Sequence, residues 1–268
     1  MEDIRDIIFR DIIDREFRAL LIPEREGCLS GVSEAEKQAE EIGIKLTLFA
    51  KEGESVTEGT PVGELTATPK KIALSEEKII GTLSKFSGIA TAARRAVALA
   101  NGKIHIVSGS WKKMPPSIKD GVRRAIVSGG ASFRICDTPM IYLDKNYISM
   151  LGSIPLALAA VKDYTGYTRV IQIKGRQLSI EKETVQALEN GCGILMVDTG
   201  RLDDLVCCSE IVKKLGKRND VKIAFAGGVK LDKIKELAAY DIDILCIGKE
   251  IVDAPLLDIK LDVQATVL

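Results

Sequence analysis

Short apolar runs alternate with amphipathic stretches through the second half of the chain, and this pattern predicts alternating strands and helices. Six runs rich in aliphatic residues are predicted strands: Ile104–Ser108, Ile141–Leu143, Arg169–Lys174, Gly193–Val197, Val221–Ala226 and Ile242–Ile247. The stretches with helical periodicity are 117–127, 181–190, 203–216 and 231–239. The last four strands begin about 20 to 30 residues apart, which is the spacing of βα units around a parallel sheet.

The first hundred residues have a different pattern. Apolar residues near a 3.6-residue period predict a helix over 1–20, and short β-like runs follow at Lys45–Ala50 and Val62–Thr66. A long helix is predicted from Ser75 to Ala100, with acidic side chains in its first turn, where they suit the helix dipole. The change of pattern predicts two domains and a C-terminal tail that returns to the first, with bounds 1–102, 103–255 and 256–268.

Glycine turns follow the last two predicted strands. At the C-terminal mouth of a βα barrel, backbone N–H groups of such turns commonly bind a phosphate. Glycine suits these turns because a Cβ would keep the backbone from closing on the anion. The pattern therefore predicts a phosphate-bearing small molecule at these turns, and ordinary tight turns are the alternative. The predicted phosphate-binding residues are Ala226, Gly227, Gly228 and Gly248.

Composition narrows the classes of function. Lys+Arg and Asp+Glu both total 38, which argues against a protein that binds nucleic acid or a membrane surface through charge. No apolar run reaches the about 20 residues of a membrane span, and the charged start is unlike a signal peptide. Six cysteines form no CxxC pair and are expected to be reduced thiols in a cytoplasmic protein. His105 is the only histidine, so acid–base and anion chemistry must rest on Lys, Arg, Asp and Glu.

Three long motifs match one enzyme family in chain order. Residues 86–95, Phe-Ser-Gly-Ile-Ala-Thr-Ala-Ala-Arg-Arg, are similar to a helix of the form Ser-Gly-Ile-Ala-Thr-x-Thr-Arg. Residues 247–262 are similar to an ending of the form Ala-Pro-x-Leu-Asp-Ile-x-Leu, and residues 24–31 resemble a segment Arg-Glu-x-Gly-x-Leu-x-Gly. These are motifs of the quinolinate phosphoribosyltransferases, also called nicotinate-nucleotide pyrophosphorylases (carboxylating).

The resemblance covers nearly the whole chain and implies a fold, a reaction and an assembly. The implied fold is α/β, a small N-terminal α/β sandwich joined to an incomplete α/β barrel of six or seven strands. Family members join a pyridine carboxylate to phosphoribosyl pyrophosphate with Mg²⁺, and release pyrophosphate and then CO₂. They work as homodimers or larger homo-oligomers with shared active sites. A doubly wound sheet has the same periodicity, but no GxGxxG follows a first strand here.

Five residues match positions that contact substrate in the family. Arg94 matches an arginine that reaches into the partner's site and pairs with a carboxylate, which suits a bidentate guanidinium. Lys113 keeps a phosphate-facing lysine, and Lys112 stands where the family has arginine, although a solvated lysine pair is the alternative. Arg134 is kept, and Phe133 replaces a histidine.

Four residues match the implied catalytic centre. The family's Leu-Ile-Lys-Asp-Asn-His reads Tyr-Leu-Asp-Lys-Asn-Tyr here, so Lys145 is displaced by one residue, which on a strand reverses the face. The family's Glu-Val-Glu strand reads Gln172-Ile-Lys174, whereas Asp198 matches a family aspartate. A lysine beside Asp198 weakens the implied Mg²⁺ site. Lys174 either neutralises pyrophosphate in place of the metal or is a strand-end lysine that faces solvent.

These departures change the expected substrate. Quinolinate carries two adjacent carboxylates, and fewer fixed cations with more aromatic surface suit a less charged ring. The sequence predicts a divergent phosphoribosyltransferase that joins an aromatic or heteroaromatic acid or base to phosphoribosyl pyrophosphate. A non-catalytic relative that binds a phosphate ligand is one alternative, and an enzyme acting on another phosphorylated sugar or nucleotide is the other. Loss of the two family acids favours these alternatives.

Overall fold

The computed structural model describes residues 3–176 and 178–267, with side chains through residue 264. The chain forms two compact units. The first comprises Met1–Arg95, Trp111–Gly130 and Ile251–Leu268, and the second comprises Ala96–Ser110 and Ala131–Glu250.

An antiparallel sheet of four strands forms the centre of the first unit, in the order β12-β1-β5-β3. Its strands are β1 (Glu16–Pro23), β3 (Lys45–Leu48), β5 (Gly63–Ala67) and β12 (Ile259–Val267). A separate antiparallel pair consists of β2 (Gly27–Cys28) and β4 (Ser55–Val56). The helices are α1 (Ile4–Ile8), α2 (Val32–Ile42), α3 (Pro69–Ser75), α4 (Gly81–Ala100) and α5 (Lys119–Ser128).

Two predictions for this region are wrong. The helix predicted over 1–20 gives way to strand β1, in which Ala19 and Leu21 are fully buried at alternate positions, as a strand requires. The long helix begins at Pro69 rather than Ser75, because proline suits a first helical turn, and one π-helical turn joins α3 to α4. Ser75 lies inside the helix, where its hydroxyl donates to the carbonyl of Lys71 at 2.8 Å.

Six parallel strands form the sheet of the second unit, in the order β6-β11-β10-β9-β8-β7. They are β6 (His105–Val107), β7 (Met140–Leu143), β8 (Thr168–Ile173), β9 (Ile194–Asp198), β10 (Lys222–Ala226) and β11 (Ile244–Cys246). The first of these strands, β6, pairs with the last, β11, and each strand from β7 to β10 pairs with the next one in the chain. A parallel sheet acquires this cyclic order by curling into a barrel, whereas a doubly wound sheet reverses direction at a switch point. The predicted incomplete barrel is therefore confirmed.

Six of the described helices follow strands β7 to β11, and three of them were not predicted. They are α6 (Lys145–Leu151), α7 (Ile154–Ala159), α8 (Ile180–Glu189), α9 (Leu202–Lys214), α10 (Ile234–Leu237) and α11 (Lys249–Val252). The unpredicted helices α6, α7 and α11 are short, and the first two begin with the capping side chains Asp144 and Ser153.

Strand alternation determines which side chains face the barrel interior. Val170, Ile194, Met196, Ala224 and Ile244 belong to one buried cluster. Because successive side chains of a strand alternate between faces, residues two positions further along β8 and β9 also face inward. The strand ends therefore project side chains over the C-terminal mouth of the barrel.

Arg218 connects the entrances of β10 and β11. Its Nε donates to Asp241 Oδ1 at 2.8 Å, and its second terminal nitrogen donates to Asp243 Oδ1 at 3.1 Å. Asp243 Oδ2 in turn accepts from the backbone N–H of Ile223 at 2.7 Å. The hydrogen bond from Arg218 lowers the pKa of Asp241 to about 2.

A carboxyl whose pKa is depressed by folding stabilises the fold above its unfolded pKa and loses that effect as the pH falls through the folded value. Because Asp241 is partly exposed and solvent screens the pair, we expect Asp241→Asn to lower the free energy of unfolding by about 1 kcal/mol at pH 7. The loss should shrink towards pH 2, which urea unfolding at several pH values measures. Asp220→Asn, which removes only an exposed pair with Lys217, is the control. Equal losses for Asp241→Asn at both ends of the pH range would contradict the assignment.

Candidate active site

The ends of β8 and β9 bring three predicted site residues together. Gln172 is buried, and its Nε2 donates to Asp198 Oδ2 at 2.6 Å. The Nζ of Lys174 lies 3.2 Å from the same carboxylate oxygen. Lys174 therefore points towards Asp198 at the barrel mouth, and the alternative of a strand-end lysine directed into solvent is wrong.

Lys145 joins this network through its backbone. Its N–H donates to Gln172 Oε1 at 2.8 Å, so both ends of the Gln172 amide are engaged. Asp144 caps α6 by accepting from the N–H groups of Asn146 and Tyr147 at 2.8 and 3.1 Å. Lys145 therefore lies in the first turn of a helix, and the expectation based on opposite faces of a strand does not apply to it.

Glu183, which the sequence analysis missed, holds the turn that follows β8. Its buried carboxylate accepts from the backbone N–H groups of Lys174, Gly175 and Arg176 at 2.8, 2.9 and 3.2 Å. A carboxylate that accepts several backbone hydrogen bonds stabilises a turn strongly. The sequence signal was an acidic residue in the first turn of a helix after a glycine turn.

The predicted aromatic residues occupy different environments. Tyr142 lies against the buried cluster of the barrel interior, where burial raises the pKa of its hydroxyl well above the ordinary value. Tyr147 is about half exposed on α6. Phe133 is half-buried and Arg134 exposed after the single bridge between Ser132 and β6.

The turn after β10 has the backbone that the phosphate hypothesis requires. Gly227 and Gly228 follow Ala226 with φ of +115° and +75°, which favours glycine. A Cβ on Gly227 would overlap the backbone of Gly200, another glycine of the site that sequence reasoning missed. A Cβ on Gly228 would meet no atom within 4 Å, so this position borders open space. Ala226 pairs with Asp198, so the turn lies beside the carboxylate network.

Gly248 follows β11 and directly precedes α11. A Cβ there would overlap the hydroxyl of Ser110. The close approach explains a small residue at this turn.

The remaining predicted cations belong to the first unit. Arg94 donates to the Gly53 carbonyl at 2.5 Å, to Ser55 Oγ at 2.9 Å and to the Ser128 carbonyl at 3.3 Å. Lys112 and Lys113 lie in a 3₁₀ turn over Ser110–Lys113. These residues are thus anchored or exposed within their own unit.

The donor set is a poor fit for a bound metal. Within residues 3–176 and 178–267, no group of three or more His, Cys, Asp or Glu side chains could hold a metal ion. Asp198 Oδ2 already receives an amide N–H and an ammonium group. Mg²⁺ requires oxygen ligands in octahedral geometry, and a neighbouring lysine repels it.

Comparison with known proteins identifies the family. Residues 6–87 match the N-terminal domain of quinolinate phosphoribosyl transferase, and residues 89–262 match its C-terminal domain. The chain belongs to the quinolinate phosphoribosyltransferase family. The sequence-based expectation of a phosphoribosyltransferase is thereby confirmed, and phosphoribosyl pyrophosphate is the co-substrate of this family.

Relatives span almost the whole chain. The probable nicotinate-nucleotide pyrophosphorylase (carboxylating) of Methanothermobacter thermautotrophicus is 26% identical over 97% of this chain and 93% of its own length. That of Archaeoglobus fulgidus is 26% identical over 93% of this chain and 95% of its own. The crystal structure of NadC from Streptococcus pyogenes superposes with a TM-score of 0.82 at 19% identity, covering 100% of this chain and 92% of that one. Among the described residues, no helix combines the length and apolar content needed to span a bilayer.

Proposed function

We propose that this quinolinate phosphoribosyltransferase relative joins an aromatic or heteroaromatic acid or base, less charged than quinolinate, to phosphoribosyl pyrophosphate. The observation that carries the proposal is the contact of Lys174 and Gln172 with one oxygen of Asp198, where the family pattern has two further acids. An amide and an ammonium group there reduce the negative charge that a pyrophosphate group would meet.

Each part of the network has a proposed role. The glycine turns over 226–228 and at Gly248 bind the 5-phosphate through backbone N–H groups. Asp198 accepts hydrogen bonds from ribose hydroxyls through Oδ1, since Gln172 and Lys174 both contact Oδ2. A nucleophilic atom of the acceptor forms a bond to ribose C1 while the bond from C1 to the pyrophosphate oxygen breaks. The electron pair of the broken bond leaves with pyrophosphate. Lys174 stabilises that leaving group by charge, and Lys113 assists at its phosphates.

Magnesium has no assigned step in this proposal. The carboxylate network does not fit a protein-held Mg²⁺ ion, and Lys174 provides positive charge at the same place. We also propose a cytoplasmic location, which is supported by six cysteines that form no disulfide among the described residues.

The decisive experiment measures pyrophosphate release from phosphoribosyl pyrophosphate with a panel of aromatic acids and bases, with and without EDTA. We expect release with at least one acceptor, retained in EDTA. Lys174→Ala should reduce it by about tenfold or more, because a charge-assisted contact is lost. Lys222→Ala, at the exposed entrance of β10, is the matched control and should retain full activity. Absence of release with every acceptor would contradict the proposed reaction.

A binding protein without turnover, or an enzyme for another phosphorylated sugar or nucleotide, is the second candidate. The replacement of two family acids by Gln172 and Lys174 favours it. Calorimetric binding of phosphoribosyl pyrophosphate without turnover would identify the first case, and preference for another sugar phosphate would identify the second.

We also propose a homodimer in which Arg94 serves the partner's site. The proposal is supported by the family match and by the position of Arg94, held at one end of a helix by three contacts. Mixing Arg94→Ala with Lys113→Ala chains should restore about a quarter of the activity, because random exchange leaves one intact composite site in half of the dimers. Activity of the mixture measures this. A monomer in sedimentation, or no restoration after subunit exchange, would contradict it.

A further inference from the structure

A cavity of ≈ 210 Å³ opens beside Lys174, on the side of β8 that faces helices α6 and α7. Its walls come from α6, the start of α7, the β8–α8 turn and the first part of α8. None of the family-matched cations Arg94, Lys112 and Arg134 lines it. We call this cavity the side pocket.

The side pocket has an apolar wall and a cationic rim. Ile148 and Ile154 are buried side chains on the helical wall. Lys145, Lys174 and Arg176 provide the cations. The arrangement suits a ligand with a compact apolar body and an anionic end.

Positive charge predominates in the side pocket. Among the described residues, Lys145 and Arg176 form no ion pair, and Lys174 pairs only with Asp198. Glu183 is the acidic residue of the lining, and its carboxylate is occupied by three backbone N–H groups. An incoming carboxylate would therefore meet Lys145 and Arg176 without a competing anion, and at Lys174 it would compete only with Asp198.

The volume limits the size of the ligand. A cavity of about 150 Å³ lined by apolar side chains binds benzene. The side pocket, at ≈ 210 Å³, has room for a six-membered ring and a carboxylate-sized substituent. A ligand with a second bulky substituent would be too large for this volume.

We propose that the side pocket binds a compact hydrophobic monocarboxylic acid, with its carboxylate at the cationic rim and its body against Ile148 and Ile154. Such an acid would be either the acceptor of the transfer reaction or a separate effector. Binding itself does not depend on the proposed transfer. A carboxylate at Lys174 would also compete with Asp198 for its ammonium group, which links the side pocket to the carboxylate network.

Calorimetry on the intact protein without phosphoribosyl pyrophosphate tests the proposal, with benzoate as probe and benzamide as its uncharged isostere. Benzoate should bind at least about tenfold more tightly than benzamide, because charge-assisted hydrogen bonds are the stronger ones. Arg176→Ala should lower the affinity for benzoate about tenfold, whereas Arg201→Ala in the next βα turn should leave this affinity unchanged. Equal binding of the two probes would overturn the proposal.

A second pair of variants tests the location. Ser149→Phe fills the side pocket from an exposed position of α6 and should abolish benzoate binding. Met150→Phe changes the adjacent, 74% exposed residue, which does not line the side pocket, and is the control. Unchanged benzoate affinity in a folded Ser149→Phe protein would also overturn the proposal.

Steady-state kinetics then distinguish the two possible roles of the bound acid, acceptor and effector. Inhibition of pyrophosphate release by benzoate, competitive with the acceptor, identifies the side pocket as the acceptor site, and noncompetitive inhibition identifies an effector site. If no acceptor supports pyrophosphate release but the Arg176 and Ser149 variants and their controls bind benzoate as expected, the proposed function is wrong. The side pocket is then still a carboxylic acid site.

Discussion

Quinolinate and phosphoribosyl pyrophosphate should form nicotinate mononucleotide at least ~10³-fold more slowly than the ordinary enzymatic range of about 1–10³ s⁻¹. Four positions that bind the second carboxylate or the metal in the family pattern carry other residues here: Lys112, Phe133, Gln172 and Lys174. Each lost charge-assisted hydrogen bond costs about 1.5–3 kcal/mol, so three of them correspond to ~10³-fold or more, with incomplete additivity.

The assay is nicotinate mononucleotide formation with Mg²⁺ and then with EDTA. A gain-of-function variant provides a second test. Lys112→Arg combined with Phe133→His should raise the rate on quinolinate, because both changes restore hydrogen-bond donors of the family pattern. Turnover of about 1 s⁻¹ or more that EDTA abolishes would mean that the chain is an ordinary member of the family and that the site is misaligned.

Gly228→Val should reduce affinity for phosphoribosyl pyrophosphate by ~10²-fold or more. Gly228 has φ of +75°, a region that β-branched residues avoid, and its missing Cβ points into open space beside the carboxylate network. A valine there would both distort the N–H groups of the turn and occupy the volume of the anion. Isothermal titration calorimetry measures the loss.

Gly216 provides a matched control for backbone strain. It has φ of +66°, and a Cβ there would also meet no atom within 4 Å, but it follows α9 at the opposite end of the strands. Gly216→Val should therefore destabilise the protein about as much as Gly228→Val without changing phosphate affinity. Equal affinities in the two variants would show that the turn after β10 is not the phosphate site.

The barrel could be predicted because its strands are buried and separated by helices with regular periodicity. The glycine turns were also visible, since a left-handed backbone after a strand leaves a local signal in glycine itself. Strand β1 was missed because five isoleucines at helix-like spacing precede it, and Ile4, Ile7, Ile8 and Ile13 turn out to be exposed. Local periodicity could not reveal that these residues lie outside a core.

The site was only partly predictable, for a different reason. Asp144 and Lys145 looked like exchanged catalytic residues, but the aspartate caps a helix and the lysine backbone bonds Gln172. The bonds between Gln172, Lys174 and Asp198 depend on the register of β8 against β9, which neither strand specifies alone. Glu183 acts on a turn eight residues away, which spacing does not reveal.

The pairing of β1 with β12 has a consequence for how the protein is made. A ribosome delivers β1 long before its neighbour β12, so every strand between them must be synthesised before the two can meet. The six barrel strands all emerge before β12 and can pair while β1 still has an open edge. During that interval the unpaired edge of β1 is open to pairing with a wrong strand, and a chaperone that covers extended apolar segments would protect it.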